Sequence, residues 1–241
     1  NPASLTMDAN KSVTATFEQE SSGGGAVTFA EAQSGGSSGS LTVATSASLA
    51  GVSGDLYLAA ISFKPSVAVQ SLEGLGLTWT RVRAQCAGRN QTGVEVWMAQ
   101  GAPSGDGVVS ATMEAAPVNA VIAVSRYSGV NSSSPIGNLV YGNTNGVDGA
   151  CSGGVDGSSY SFNLDTTVNG SVVFGAAAMR SKTHTPGSGY VEHLEVAQGG
   201  SGGTASVAVQ DQTFLTASPV VLDGSLSGSV DWAVIGLEIR P

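Results

Sequence analysis

Four stretches of the chain are apolar almost without interruption: Asp55–Phe63, Asn119–Tyr127, Ser171–Met179 and Ser229–Arg240. Each opens on a polar residue. Each also carries small residues where another layer can approach closely: Ala59 and Ala60, Ala120 and Ala123, Gly175 and Ala176, Ala233 and Gly236. Such runs are too short for a membrane span, which needs about 20 apolar residues. They suit strands in the middle of packed sheets, buried on both faces. Between them, shorter segments bounded by Gly, Ser, Pro and Asn read as further strands, among them Leu77–Gln85, Gly93–Gln100, Tyr190–Ala197 and Thr204–Gln210. No window sustains a 3.6-residue period with helix formers. The pattern predicts about fifteen short strands between Val27 and Arg240. The expected fold is all-β, a two-sheet antiparallel β-sandwich of jelly-roll type, with an N-terminal β-hairpin arm.

That arm is Asn1–Phe17. Leu5 and Met7 alternate with polar residues, Asp8–Lys11 is a turn, and Val13, Ala15 and Phe17 alternate again. Glu18–Gly25 is a flexible linker of Glu, Gln, Ser and Gly. From Ala26 to Pro241 the composition is uniform, so residues 26–241 read as one sandwich domain. A lone two-stranded hairpin is marginal in water. The arm therefore needs a partner: its own domain, a segment upstream, or a neighbouring copy of the chain through Leu5, Met7, Val13 and Phe17. The chain opens at Asn1, so it reads as a mature product or an excised fragment of something longer.

Composition narrows the setting. Gly makes up 34 of 241 residues, about twice its usual share. Charged residues are 11%, against roughly a quarter in an average domain. Mean hydropathy is +0.14. A neutral, hydroxyl-rich surface of this kind suits an extracellular or cell-surface protein with no membrane insertion. The net charge of −9 and scattered basic residues leave no patch to bind nucleic acid. Cys86 and Cys151 both sit in Gly-rich loop sequence. They read as a disulfide, worth about 4 kcal/mol in the chain-entropy picture and implying an oxidising compartment. Two cysteines and two distant histidines make no zinc site.

Candidate chemistry is sparse. Gly199–Gly203 satisfies G-x-S-x-G, but a nucleophile elbow needs a strand before the serine and a helix after it, and here a Gly-rich loop leads into a strand. His193 and Glu195 share a strand face, with Glu192 on the other, and no nucleophile accompanies them. His184 reads as a loop residue. The best ligand cluster is Asn143, Asn145, Asp148 and Asp156. Calcium takes six to eight oxygens from such groups, so calcium is the one cofactor this loop admits, although turn chemistry demands the same residues. Trp79 is the leading candidate for a sugar platform, because its strand face also carries Arg81 and Arg83.

Two resemblances bear on these residues. The phrase Asn1-Pro-Ala-Ser-Leu-Thr-Met-Asp-Ala-Asn-Lys-Ser-Val-Thr-Ala-Thr-Phe closely resembles the end of the divergent internalin-type B-repeats of bacterial surface proteins. The series Gly54–Ser62, Leu77–Arg83, Val94–Ala99, Ala123–Val130 and Asp231–Ile239 resembles, in its order, a non-catalytic β-sandwich module that recurs in bacterial and phage secreted proteins. With the neutral surface and the sparse chemistry, they imply a structural or adhesive module of a bacterial surface protein and not an enzyme, for which strand addition by the arm, read from its unpaired hairpin, is a route to self-assembly. The alternative is a carbohydrate-binding module of a secreted multidomain enzyme, with polysaccharide as its partner.

Overall fold

The structure, a computed structural model, describes residues 26–200 and 202–241. The arm positions Leu5, Met7, Val13 and Phe17, the linker and Ser201 lie outside the described residues. Every helix or strand among the described residues is a β-strand, and none of them forms a helix long and apolar enough to cross a membrane.

The first half of the domain contains β1 (Thr28–Ser38), β2 (Thr42–Ala44), β3 (Leu56–Lys64), β4 (Val69–Gly74), β5 (Thr80–Cys86), β6 (Gly93–Gln100), β7 (Val109–Met113) and β8 (Asn119–Ser128). They form a five-stranded sheet ordered β1-β8-β3-β6-β5 and a three-stranded sheet ordered β2-β7-β4. The second half contains β9 (Ile136–Asn143), β10 (Gly146–Val147), β11 (Gly157–Asn163), β12 (Ser171–Met179), β13 (His184–Pro186), β14 (Val191–Gln198), β15 (Ala205–Phe214), β16 (Val221–Val230) and β17 (Ala233–Ile239). Its sheets run β10-β9-β17-β12-β15-β14 and β11-β16-β13. Apart from β10, a short extension of the β9 hairpin, the second order repeats the first strand for strand. The antiparallel jelly-roll sandwich expected from the sequence is therefore present twice, and the sheets number four rather than two.

The two large sheets pack face to face. Leu56, Leu58, Val96 and Val121 of the first half meet Phe174, Val207, Ile235 and Leu237 of the second in a middle core. Each large sheet carries its small sheet on the other side. Tyr57, Ile61, Phe63 and Trp97 pack on Val43, Val109 and Met113, and Val173, Met179 and Val234 pack on Tyr160, Phe162 and Leu222. The centres of the large sheets thus have no solvent face. The four uninterrupted apolar runs are β3, β8, β12 and β17, which occupy those central positions.

Small residues set the layer spacing. Gly175 of β12 pairs directly with Gly236 of β17, and a β-carbon on either would meet the side chain of Leu222 from β16. The two glycines therefore form the seat of Leu222, which is itself fully buried. Forcing extra methyl groups into such a seat costs about 1–3 kcal/mol. Gly236→Val is expected to lower stability by at least that much, read from the urea midpoint. Leu222→Ala in the same chain should recover part of the loss, because both substitutions act on one contact. Strictly additive losses would show that Leu222 is not what Gly236 accommodates.

Candidate functional site

The two halves are tied together at one end, where Phe63, Cys86 and Gly93 of the first half lie beside Asn143 and Ala233 of the second. Cys86, the last residue of β5, is disulfide-bonded to Cys151 in the β10–β11 loop, with Cα atoms 5.5 Å apart. Hydrogen bonds flank the bridge. Gln85 Nε2 donates to the Gly149 carbonyl (3.0 Å) and Asn143 Nδ2 to the Cys86 carbonyl (2.8 Å). Asp231, wholly buried in the corner before β17, accepts the backbone N–H groups of Arg89 and Gln91, each at 3.0 Å. One carboxylate of the second half thus satisfies the β5–β6 turn of the first.

The loop considered for calcium carries hydrogen bonds at this junction. Asn145 Nδ2 donates to the carbonyls of Ala150 (2.8 Å) and Ser152 (3.1 Å), while Asn143 Oδ1 accepts the Asn145 N–H (2.8 Å). The carbonyls are taken by amide donors, the opposite polarity from a cation shell. Asp148 faces Arg83 (3.5 Å) and Asp156 faces Arg89 (3.4 Å). Among the described residues, no three His, Cys, Asp or Glu side chains converge as a metal site.

Beside the disulfide lies an open cleft of about 580 Å³, lined by residues of both halves that include Arg81, Arg83, Gln85, Glu95 and Asp148. Glu95 of β6 is buried at its back. Its Oε1 accepts the Val69 N–H (2.9 Å) and its Oε2 the Trp97 indole N–H (3.0 Å), with Arg81 Nη1 at 3.7 Å. Burial pushes the Glu95 carboxyl above its ordinary range, and these donors only partly offset it. The Arg83 guanidinium lies 3.6 Å over the ring of Tyr141 from the second half, a cation–π contact.

The expected common face of Trp79, Arg81 and Arg83 does not form. A β-bulge between Arg81 and Arg83 sets Arg81 opposite Trp97 and Arg83 opposite Val96, so the two arginines flank β5 from its two faces. Trp79 is buried in the outer core of the first half, and its Nε1 donates to the Gly74 carbonyl at 3.3 Å. A bulge between Glu192 and Leu194 likewise overturns the alternation expected around His193. Glu192 and Glu195 converge on His184, which is the buried first residue of β13 and not a loop residue. His193 instead stacks on Phe29 at 3.6 Å, and its Nε2 lies 2.9 Å from Asp211. The Tyr127 hydroxyl donates to that same carboxylate at 2.8 Å.

For a neutral His184 ring, its contacts select one tautomer. Gln210 Nε2 donates to the Tyr160 hydroxyl oxygen (3.1 Å). Tyr160 then donates to His184 Nε2 (2.8 Å), which leaves the Nδ1–H for Glu192 (2.5 Å). Burial drives the Tyr160 phenol far above its usual range, so it stays protonated. These groups brace β13 against β14 and β15. Motif reading passed over Glu95, Asp231 and Glu238. The available signal was a lone acid inside an apolar run, which burial tolerates only when its oxygens are satisfied.

Glu238 makes the opposite case to Glu95. It is wholly buried, which raises its carboxyl. The N–H of Thr167 (2.6 Å), the hydroxyls of Ser171 and Thr167 (2.8 Å each) and the N–H of Asn138 (3.2 Å) outweigh that and lower it. Its contribution to stability is therefore full above the ordinary glutamate value of 4.5 and is lost as pH falls through its lowered value. For Glu95 the contribution is full below 4.5 and is lost as pH rises through its raised value. A carboxyl-carbon NMR titration should place Glu95 above 4.5 and Glu238 below it. The reverse order would contradict both sets of contacts. Denatured, unreduced protein should show no thiol, and reduction should cost about 4 kcal/mol, read from the denaturant midpoint. An unchanged midpoint would show that the bridge adds nothing to the junction.

No protein-family model, no curated protein and no solved structure matches this chain.

Proposed function

We propose that this chain is a non-catalytic, extracellular structural or adhesive module of a bacterial surface protein, joined to other copies by strand addition of residues 1–17. The observation that carries the reading is the junction between the halves. The disulfide and the Asp231 and Asp211 carboxylates all serve to fix one half upon the other. A double sandwich braced in this way suits a load-bearing building block. The bridge fits an oxidising, extracellular setting, and the Asn1–Phe17 phrase supplies the likeness to a surface-protein repeat.

The carbohydrate-binding alternative predicts an exposed row of aromatics or a polar groove with calcium. Trp79, Trp97 and Trp232 are all buried, and no aromatic side chain among the described residues falls in the exposed class. The structural reading is therefore preferred.

The small sheets end in strands paired on one side only, β2 and β4 in one, β11 and β13 in the other. Such edges are templates for an added strand. At the other end of the strands from the disulfide, Ala26 and Pro241 both lie beside Gly170, and an arm linked there by eight residues reaches about 26–29 Å. The contact joins unlike surfaces, so it grows an open chain of subunits unless its rotation closes a ring. Light scattering and electron microscopy should show assemblies of the full chain that are absent after deletion of residues 1–25. Equal assembly with and without those residues would refute the arm as the linker.

A further inference from the structure

A sheet edge takes an added strand only where its outward backbone groups are free, and the four edges of the small sheets differ in this. On β13 the residues between its bonds to β16 are His184 and Pro186. The His184 N–H is held by Glu195, and proline has no N–H to offer. On β4 a bulge follows Val69, whose N–H goes to Glu95. The Gly74 carbonyl of the same strand accepts the Leu77 N–H and the Trp79 indole N–H. On β2 the Thr42 N–H goes to Ser40 Oγ, and Gly35 of β1 lies against the Ala44 carbonyl.

The remaining edge, β11, is open. The Leu164 N–H bonds to the Val220 carbonyl, and the register runs unshifted from there back to Ser159, where a bulge separates it from Gly157. Bonded and non-bonded pairs alternate in an antiparallel ladder, so Leu164, Phe162 and Tyr160 face β16. The N–H and C=O groups of Asn163, Ser161 and Ser159 point outward, and none has a partner among the described residues. All three side chains are exposed. The layer beneath is uncovered at the same place. Gly142 of β9 lies under the Phe162 ring. Its cross-strand pair in β10, Val147, is on the same face one strand further out and is 62% exposed. A strand beside β11 would cover it.

We infer that β11 of one copy accepts Ser12–Phe17 of another. This rests on the strand-addition reading and names its acceptor. The sequence Ser12-Val-Thr-Ala-Thr-Phe17 alternates as β11 does, and neither stretch carries a charge. Ser12, Thr14 and Thr16 pair with Asn163, Ser161 and Ser159 and continue their polar face. Val13 and Ala15 then lie beside Phe162 and Tyr160, toward the layer that holds Val147. Every strand pairing among the described residues is antiparallel, and the arm follows them. β11 runs from Gly157, beside Trp232 at the disulfide end, toward Asp165, whose carbonyl holds Asn138 near the other end. An antiparallel arm therefore leaves Phe17 at the disulfide end. Its own Ala26 lies at the opposite end, about 25–30 Å away over nine strand residues, which takes the full reach of the linker. The Ala26 of a copy stacked on the disulfide end is closer, so copies add end to end.

The test compares, by light scattering, the full chain, the chain lacking residues 1–25 and the full chain carrying Ser161→Pro. The proline removes an outward donor and no bond to β16, so this variant should keep its melting temperature and lose assembly as the deletion does. In a mixture of Thr14→Cys and Ser161→Cys chains, mild oxidation should give covalent dimers. A bonded antiparallel pair sets its Cα atoms about 5.5 Å apart, within reach of a disulfide. Thr14→Cys mixed with Ser71→Cys, on β4, should give none. Assembly lost on arm deletion but kept by a folded Ser161→Pro chain would overturn β11 as the acceptor and leave strand addition standing. So would equal cross-linking at Ser71, or none at Ser161. A cross-link formed only within a doubly substituted Thr14→Cys, Ser161→Cys chain would overturn the pairing between copies. If Ser161→Pro lowers the melting temperature, the cross-link decides.

Discussion

The contact on which the rest depends is the packing of two large sheets face to face, each with a small sheet on its other side. It removes solvent from both faces of β3, β8, β12 and β17. Those strands must then be apolar at every position, not at every second one. They must also be thin in places, and so alanine and glycine recur in them. Any charge admitted to these layers needs a complete set of partners. Glu95, Asp211, Asp231 and Glu238 each have one, made largely of backbone N–H groups, indole N–H and hydroxyls. The same packing makes residues 26–241 one body, since neither half covers its large sheet without the other.

The duplication extends to irregularities. β5 and β14 are equivalent edge strands, and each carries a bulge, at Arg81/Arg83 and at Glu192/Leu194. A bulge twists an edge away from further pairing and places neighbouring side chains on unexpected faces. The halves differ in what the bulged strand faces. In the second half it closes on His184, while in the first it leaves two arginines beside an open cleft.

Much of this was legible in the sequence. The four apolar runs marked the central strands to within a few residues, and Gly93–Gln100 and Ser171–Met179 match strands end to end. The Cys86–Cys151 pairing is legible from the Gly-rich sequence around both residues, although Cys86 ends β5 rather than lying in a loop. The doubling is not marked by any repeated phrase, although the four runs are two equivalent pairs, β3 with β12 and β8 with β17. Most of β16 is not legible as a strand, because its inward positions after Leu222 include Gly224 and Gly228 and its outward ones are mostly serine, a composition that reads as a loop. β13 is too short to show a period. The candidate sites suffered most. Strict alternation puts Trp79, Arg81 and Arg83 on one face and His193 with Glu195, but a single extra residue in each strand moves Arg83 and His193 off those faces, and the small sheet covers the face that Trp79 occupies. Loop asparagines are ambiguous in a sequence, because ligand loops and bracing loops use the same residue types.

The disulfide has a mechanical consequence. It closes a loop of 65 residues running from the end of β5 through β6, β7, β8 and β9 into the second half. If tension is applied through the two ends of the domain, that loop cannot be drawn out, and about 220 Å of contour stays locked. Only the segments outside the bridge can extend. A tether built from such domains would lengthen by a bounded amount and then hold. It would stay connected across the junction even after the outer strands had peeled away.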